Sequence, residues 1–350
     1  MNKKLLGILL SLLLVPVLAA GCGKPQNIKE ESTAEAEKEN QDLIVIGFSQ
    51  VGAESDWRKA NTESIKETFT EEAGFQLIIS DAQQKQTNQI TAIRTFIQQE
   101  VDYIVLAPVT EDGWDTVLEE ARDANIPVII VDRMVNVSDD DLFVCRVGAN
   151  FELEADKVCN WIKQYNDYRG IPQEEINIVA IKGTPGASSQ LGRSQGLYNA
   201  VKKYGWNLME EGDGEYTQAR AREVMASMLR KYDNINIVYC ENDNEAFGAI
   251  EAIEASGKRV GPNIKAGQIM IVSFDGVSEQ ALSFVRNSKI ACIAECNPVQ
   301  GPYIANIIRR LEKGEQPDKF EYVDGRVFSH VSKIGNIVAE DKLYPVTILE

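Results

Sequence analysis

From Asp42 onward, near-continuous apolar runs of strand length alternate with amphipathic stretches of helical length, and this alternation constrains the fold more than any other feature. The runs occupy residues 43–48, 75–79, 103–106, 127–131, 176–181, 235–239, 269–274 and 290–294. A strand that is apolar at every position has both faces buried, as in a parallel sheet covered by helices. Residues 87–100 typify the intervening stretches: Ile90, Ile93, Phe96 and Ile97 fall on one helical face. Repeated units of this kind predict a doubly wound, parallel-sheet α/β fold. The pattern restarts after Asn150, so it predicts two sheets. In open parallel sheets ligands bind beyond the carboxyl ends of the strands, and two such ends facing each other make a cleft.

The segment ahead of this pattern reads as an address. Lys3 and Lys4 precede an uncharged run over residues 5–20, followed by Gly21 and Cys22. Residues 1–21 are expected to be a signal peptide, too short for a convincing stop-transfer helix. Ending at Cys rather than at an Ala-x-Ala site, it resembles a bacterial lipobox, with Ala19 departing from the usual Leu. The Cys22 thiol is then the lipidation site, and diacylglyceryl modification supplies the second chain that stable anchoring needs. Residues 22–41, rich in Lys, Glu, Gln, Ser and Asn, read as a solvated tether.

Charge and composition narrow the chemistry. The 350-residue chain carries a net charge of −17, falling to −19 once Lys3 and Lys4 leave with the signal. A surface this acidic repels phosphate backbones and anionic lipid headgroups, which argues against nucleic-acid binding. The single histidine, His330, excludes zinc sites built on two histidines and makes a Ser/His/Asp triad depend on one residue near the C-terminus. Cys145, Cys159, Cys240, Cys292 and Cys296 show no CxxC spacing and read mostly as small buried hydrophobes. One pair among them could still bridge. No metal and no cofactor are expected.

The residues that end the predicted strands carry the functional signal. After the first come Ser49-Gln50 and then Glu54, Ser55, Asp56, Trp57 and Arg58. Ser55 or Asp56 can cap a helix, placing Trp57 and Arg58 in its first turn at the cleft rim. There Trp57 can stack on a sugar ring, or pack into the core; the Arg58 fork beside it can donate to several hydroxyls. Asp132-Arg133 ends the fourth strand. An ionised Asp accepts from two vicinal hydroxyls while Arg donates to a third oxygen, although a surface salt bridge fits the same pair. The Gly-rich turn at 181–188 lacks the Gly-Lys-Ser/Thr ending of a phosphate loop and opens the helix that carries Arg193. Asn242, Asp275 and Glu295 follow later strands. The set offers hydrogen-bonding groups without a nucleophile-base pair.

Gly47-Phe48-Ser49-Gln50, the Asp81-Ala82-Gln83-Gln84-Lys85-Gln86 turn, Asp132-Arg133, Asn242-Asp243 and Phe274-Asp275-Gly276 together resemble the ribose/galactose-type periplasmic binding proteins of ABC sugar importers. The resemblance runs from about Asp42 to the end. The stretches around Trp57 and Gln84 are most similar to the galactofuranose-binding branch. It implies two lobes joined by a three-strand hinge, the type I periplasmic binding protein fold. Residues 42–149 with 296–324 would form the N-terminal lobe, and 150–295 with 325–350 the C-terminal lobe. The family's roles imply that Trp57 stacks on the sugar with Ser49, Glu54 and Arg58 nearby. Asp132, Arg133, Arg193, Asn242, Asp275 and Glu295 would hydrogen-bond its oxygens. Tyr216, where ribose-type members carry Phe, would be a second aromatic wall. Ala107 in place of Asn, and Glu295 in place of Gln, argue against ribose itself.

The expected function is therefore that of a non-enzymatic, extracytoplasmic lipoprotein, monomeric and anchored to the membrane. It would capture a neutral, galactofuranose-like monosaccharide by hinge closure and deliver it to an ABC permease with its ATPase. The same lobe pair could instead report the sugar to a chemoreceptor or histidine kinase. A surface glycoside hydrolase would need two carboxylates at a set separation, which Asp132 with Asp275 or Glu295 could provide.

Overall fold

A computed structural model describes residues 43–350; the expected signal peptide, the tether and Cys22 lie outside the described residues. The chain runs β1 (Ile44–Gln50), α1 (Asp56–Thr68), β2 (Phe75–Asp81), α2 (Gln86–Gln98), β3 (Tyr103–Leu106), α3 (Asp115–Asp123), β4 (Val128–Val131), β5 (Cys145–Gly148) and α4 (Phe151–Arg169). It continues with β6 (Asn177–Lys182), α5 (Ser188–Tyr204), β7 (Asn207–Asp213), α6 (Gln218–Lys231), β8 (Ile237–Cys240), α7 (Asp243–Ala255) and β9 (Arg259–Val260). Then follow β10 (Gln268–Asp275), α8 (Glu279–Arg286), β11 (Cys292–Glu295), α9 (Gly301–Leu311), β12 (Phe320–Tyr322), β13 (Val327–Ser329), β14 (Asn336–Ala339) and β15 (Lys342–Ile348).

The first sheet is all parallel, in the order β2-β1-β3-β4-β5-β12. The second is parallel through β7-β6-β8-β10-β11. Beyond β11 come β13, β15 and β14, where antiparallel pairing appears. Alternate residues feed opposite faces, as pleating requires. Val105 and Ile129 join one apolar cluster, whereas Ile104 and Ile130 join another across the sheet. The second sheet is likewise buried between two clusters. This is the double burial that the continuous apolar runs predicted, and the molecule is a two-lobed, doubly wound α/β protein.

The chain passes between the sheets three times: between β5 and α4, between β11 and α9, and between β12 and β13. After the first crossing α4 packs on α5, and after the second α9 packs on α1.

Several strands lack the expected signature. In β5 the apolar run is broken by Arg146, which is nonetheless buried because its guanidinium donates to the carbonyls of Asp132 and Ala149, both at 2.8 Å. The edge strand β7 carries Asn, Glu and Asp because much of it is only half buried. All five cysteines from Cys145 onward are free and buried, so none of them bridge.

Candidate ligand-binding site

In each lobe the strand order reverses direction at one point, between β1 and β3 in the first and between β6 and β8 in the second. Connections on either side of such a point leave in opposite directions, opening a crevice at the carboxyl ends. The loops there converge on one cavity of about 280 Å3, counting its mouth.

On the first lobe, Ser55 takes an extended backbone and its side chain accepts the Arg58 N–H at 3.2 Å, which starts α1. Trp57 and Arg58 therefore sit in the first turn, both buried. The Trp57 indole N–H donates to the Cys296 carbonyl at 2.7 Å, tying the ring to the second crossover. The Arg58 guanidinium lies 4.7 Å from the Trp57 ring centre. It donates to Asp132 at 2.7 Å and to Glu54 and Gln50 at 3.3 Å each. Arg133 donates to the Val109 carbonyl at 2.8 Å and approaches Glu54 at 3.5 Å. Its Nε, 4.0 Å from the Asp132 carboxylate, and the Glu54 Oε2 have no hydrogen-bond partner.

On the second lobe, Arg193 projects from α5 and donates to Glu154 at 3.0 Å, to Asp275 at 3.1 Å and to the Glu241 carbonyl. The Tyr216 hydroxyl shares a 2.7 Å hydrogen bond with Ser189. Its N–H donates to Glu245 at 2.9 Å, and its carbonyl accepts from Asn242 at 3.3 Å. Asn242 also caps α7, accepting the Glu245 N–H at 2.8 Å. Beneath the Tyr216 ring lies Gly183, where a Cβ would fall 1.9 Å from the ring.

Three of these residues, Asp132 (φ 64°), Tyr216 (φ 60°) and Asp275 (φ 96°), hold left-handed backbone. For non-glycine residues that is strained and is kept where surrounding contacts over-determine it. Here it turns each side chain into the cavity.

The lining charges balance: Arg58, Arg133 and Arg193 face Glu54, Asp132 and Asp275. Burial works to lower the Arg58 pKa, but Asp132 and Glu54 outweigh it and raise it. Arg193 is held well up in the same way by Glu154 and Asp275. Arg133 is pulled down by burial and by neighbouring Arg58. Behind the second wall, burial pushes Glu241 up to about 8, and it also raises Asp243, Glu245 and Asp275. Cys296 is kept a protonated thiol, chiefly by burial. Each lining carboxylate is engaged by an arginine, an arrangement that offers fixed donors and acceptors to a neutral polyol. Among the described residues no cluster of metal-ligating side chains occurs.

Of the residues read from the sequence, Glu54, Trp57, Arg58, Asp132 and Arg133 come together with Arg193, Tyr216, Asn242 and Asp275. Ser49 and Glu295 are not brought to the cavity. β1 runs on to Gln50, which leaves Ser49 inside the sheet, fully buried. Glu295 turns to the hinge instead, where Arg326 grips it at 2.7 and 2.9 Å. The cavity also takes in Ser55, Phe151, Ser189 and Cys296. Ser55 and Ser189 flank motifs that were legible. Phe151 and Cys296 sit at crossovers, and no local pattern separates them from core residues.

Two lobes around a small, electroneutral, polar and aromatic-walled cavity define a ligand-capturing protein of the type I periplasmic binding fold. A family model described as a periplasmic binding protein domain matches residues 46–316, and the chain belongs to that family. It is 36% identical over 281 residues to the galactofuranose-binding protein YtfQ of Escherichia coli (strain K12), covering 79% of this chain and 85% of that one. Its fold matches a Mycobacterium smegmatis crystal structure in complex with beta-D-fucofuranose (TM-score 0.76, 36% identity, 82% and 91% coverage). It also matches the periplasmic binding component of the arabinose ABC transporter of Shewanella sp. ANA-3, bound to alpha- and beta-L-arabinofuranose (TM-score 0.75, 36% identity, 81% and 91% coverage). These relatives are sugar-binding proteins, not enzymes.

Proposed function

We propose that this protein is the extracytoplasmic capture component of an ABC sugar importer. It takes a neutral furanose, galactofuranose-like in shape, between its lobes and hands it to a membrane permease. The observation that carries this reading is the cavity wall: three arginines balanced by three carboxylates, with Trp57, Phe151 and Tyr216 among the lining. Sugar rings have apolar faces that pack on aromatic rings, and their hydroxyls both donate and accept. Arg133 Nε and Glu54 Oε2, buried without hydrogen-bond partners, supply one donor and one acceptor for them. A charged sugar would upset the balance. Closure gains contacts from both lobes at once, so the ligand stabilises the closed form by its differential affinity. A lipid on Cys22 holds the protein at the membrane, and 34 basic against 53 acidic residues in the exported part give a surface suited to basic permease loops.

Isothermal titration against pentoses and hexoses in furanose and pyranose forms tests the reading. Furanose binding is expected, and no binding to any sugar would overturn it. Trp57→Ala and Asp132→Ala should each weaken binding roughly tenfold or more, about one good contact. Wild-type affinity in both would refute the assigned site.

A further inference from the structure

The two lobes meet directly at the rim of the cavity. The Asp56 N–H at the start of α1 donates to the Asn244 side chain in the first turn of α7, at 3.0 Å. The Met134 N–H donates to the Ser188 hydroxyl at the start of α5, at 2.7 Å. The Glu111 N–H donates to the Gly186 carbonyl at 3.0 Å. Each of the first two bonds adjoins cavity residues: Asp56 precedes Trp57, Met134 follows Arg133, and Ser188 precedes Ser189. Between them the Arg133 guanidinium, from the first lobe, lies 5.3 Å from the Tyr216 ring centre of the second. Neither Asn244 nor Ser188 lines the cavity.

From this geometry we infer that Asn244 and Ser188 are latch residues. They hold the closed lobes in register without touching the ligand, and so set how long the ligand stays. The Asp56 amide is one of the N–H groups that a helix start leaves without an intrahelical partner. In an open form water would take it; in the closed form Asn244 does. The closed state thus carries a stabilising term of the protein's own, added to whatever the ligand contributes. A ligand's apparent affinity rises with the population of the binding-competent state, so removing a latch lowers affinity for every ligand by one factor. The inference rests on the capture function proposed above.

Asn244→Ala, Ser188→Ala and the double variant should be titrated with L-arabinose and D-galactose, with dissociation followed by stopped flow. Each single variant should release sugar about three- to tenfold faster, the weight of one intramolecular hydrogen bond. The ratio of the two sugars' affinities should stay at the wild-type value. Asn244→Asp, which keeps an acceptor, should restore slow release. Small-angle X-ray scattering of the sugar-free double variant should give a larger radius of gyration than wild type. Unchanged release in all variants, or an altered sugar ratio, overturns the latch. Failure of wild type to bind any sugar overturns the capture reading instead, while the scattering comparison still judges the latch.

Discussion

The division between residues that reach the cavity and those that do not turns on single backbone angles. Asp275 and Glu295 are register partners at the ends of the neighbouring parallel strands β10 and β11, so the sequence presents them as equals. They part because Asp275 adopts φ 96° and swings to Arg193, whereas Glu295 keeps to its hinge partner Arg326. Residue type at a strand end was legible; side-chain direction was not, since it depends on a strained conformation set by distant contacts. Tyr216 makes the same point. Its placement depends on Gly183, the only residue type that leaves room under the ring. In Gly183→Ala the new methyl would meet ring atoms at 1.9 to 2.4 Å, and ring and strand cannot both stay. Sugar affinity should fall at least tenfold by calorimetry, with thermal stability lowered by about 1–3 kcal/mol, as overpacking does. Wild-type affinity would mean that Tyr216 is no part of the wall.

Among the elements, the β8–α7 turn is the most informative. Of its residues Glu241-Asn242-Asp243-Asn244-Glu245 the sequence marks only Asn242, as a hydrogen-bonding group at a strand end, yet four of the five are buried, three of them carboxylates. Glu241 accepts from the Gly183 N–H at 2.8 Å and the Ser194 hydroxyl at 2.6 Å. Asp243 accepts from the Ser273 hydroxyl at 2.6 Å and the Gly276 N–H at 2.7 Å. These carboxylates brace the β6, β10 and α5 termini that shape the second wall, a role no local pattern announces. Burial holds Glu241 near 8, above its value in an unfolded chain, so the folded protein binds more protons than the unfolded one between about pH 4 and pH 8. The stability gained from this proton uptake is complete below the unfolded value and is lost as pH rises through the folded one. The melting temperature should accordingly fall from about pH 5 to pH 8. Glu241→Gln, whose amide oxygen still accepts the Gly183 N–H and whose NH2 can donate to the Ser194 hydroxyl oxygen, should flatten that slope and raise stability at pH 8, by an amount on the order of a few kcal/mol. Thermal scans across pH decide it: an unchanged slope in the variant would place the titration elsewhere.

For the whole molecule, the two-lobed plan was legible because burial on both faces of a sheet leaves an unmistakable apolar run. The chain beyond α9 was harder to read: β12 and β13 are three-residue strands, and β12 finds its partner β5 far back in the sequence. Their placement makes the third crossover, at Gly325, run against the end of β11. A Cβ at Gly325 would fall 1.8 Å from the Glu295 carbonyl oxygen, and next to it Arg326 clasps the Glu295 carboxylate. Lys157, buried on α4, adds a hydrogen bond to the Gly325 carbonyl at 3.3 Å. Two of the three hinge strands, one leaving the second lobe and one entering it, are therefore fastened to each other at that lobe's edge. Gly325→Ala should force them apart and re-aim the first lobe without altering any cavity side chain. The expected outcome is weaker binding of all sugars by a common factor, together with a smaller compaction on sugar addition in small-angle scattering. A changed preference among sugars, or full compaction at wild-type affinity, would show that closure tolerates the displaced crossover and that the rotation axis lies at the other two strands.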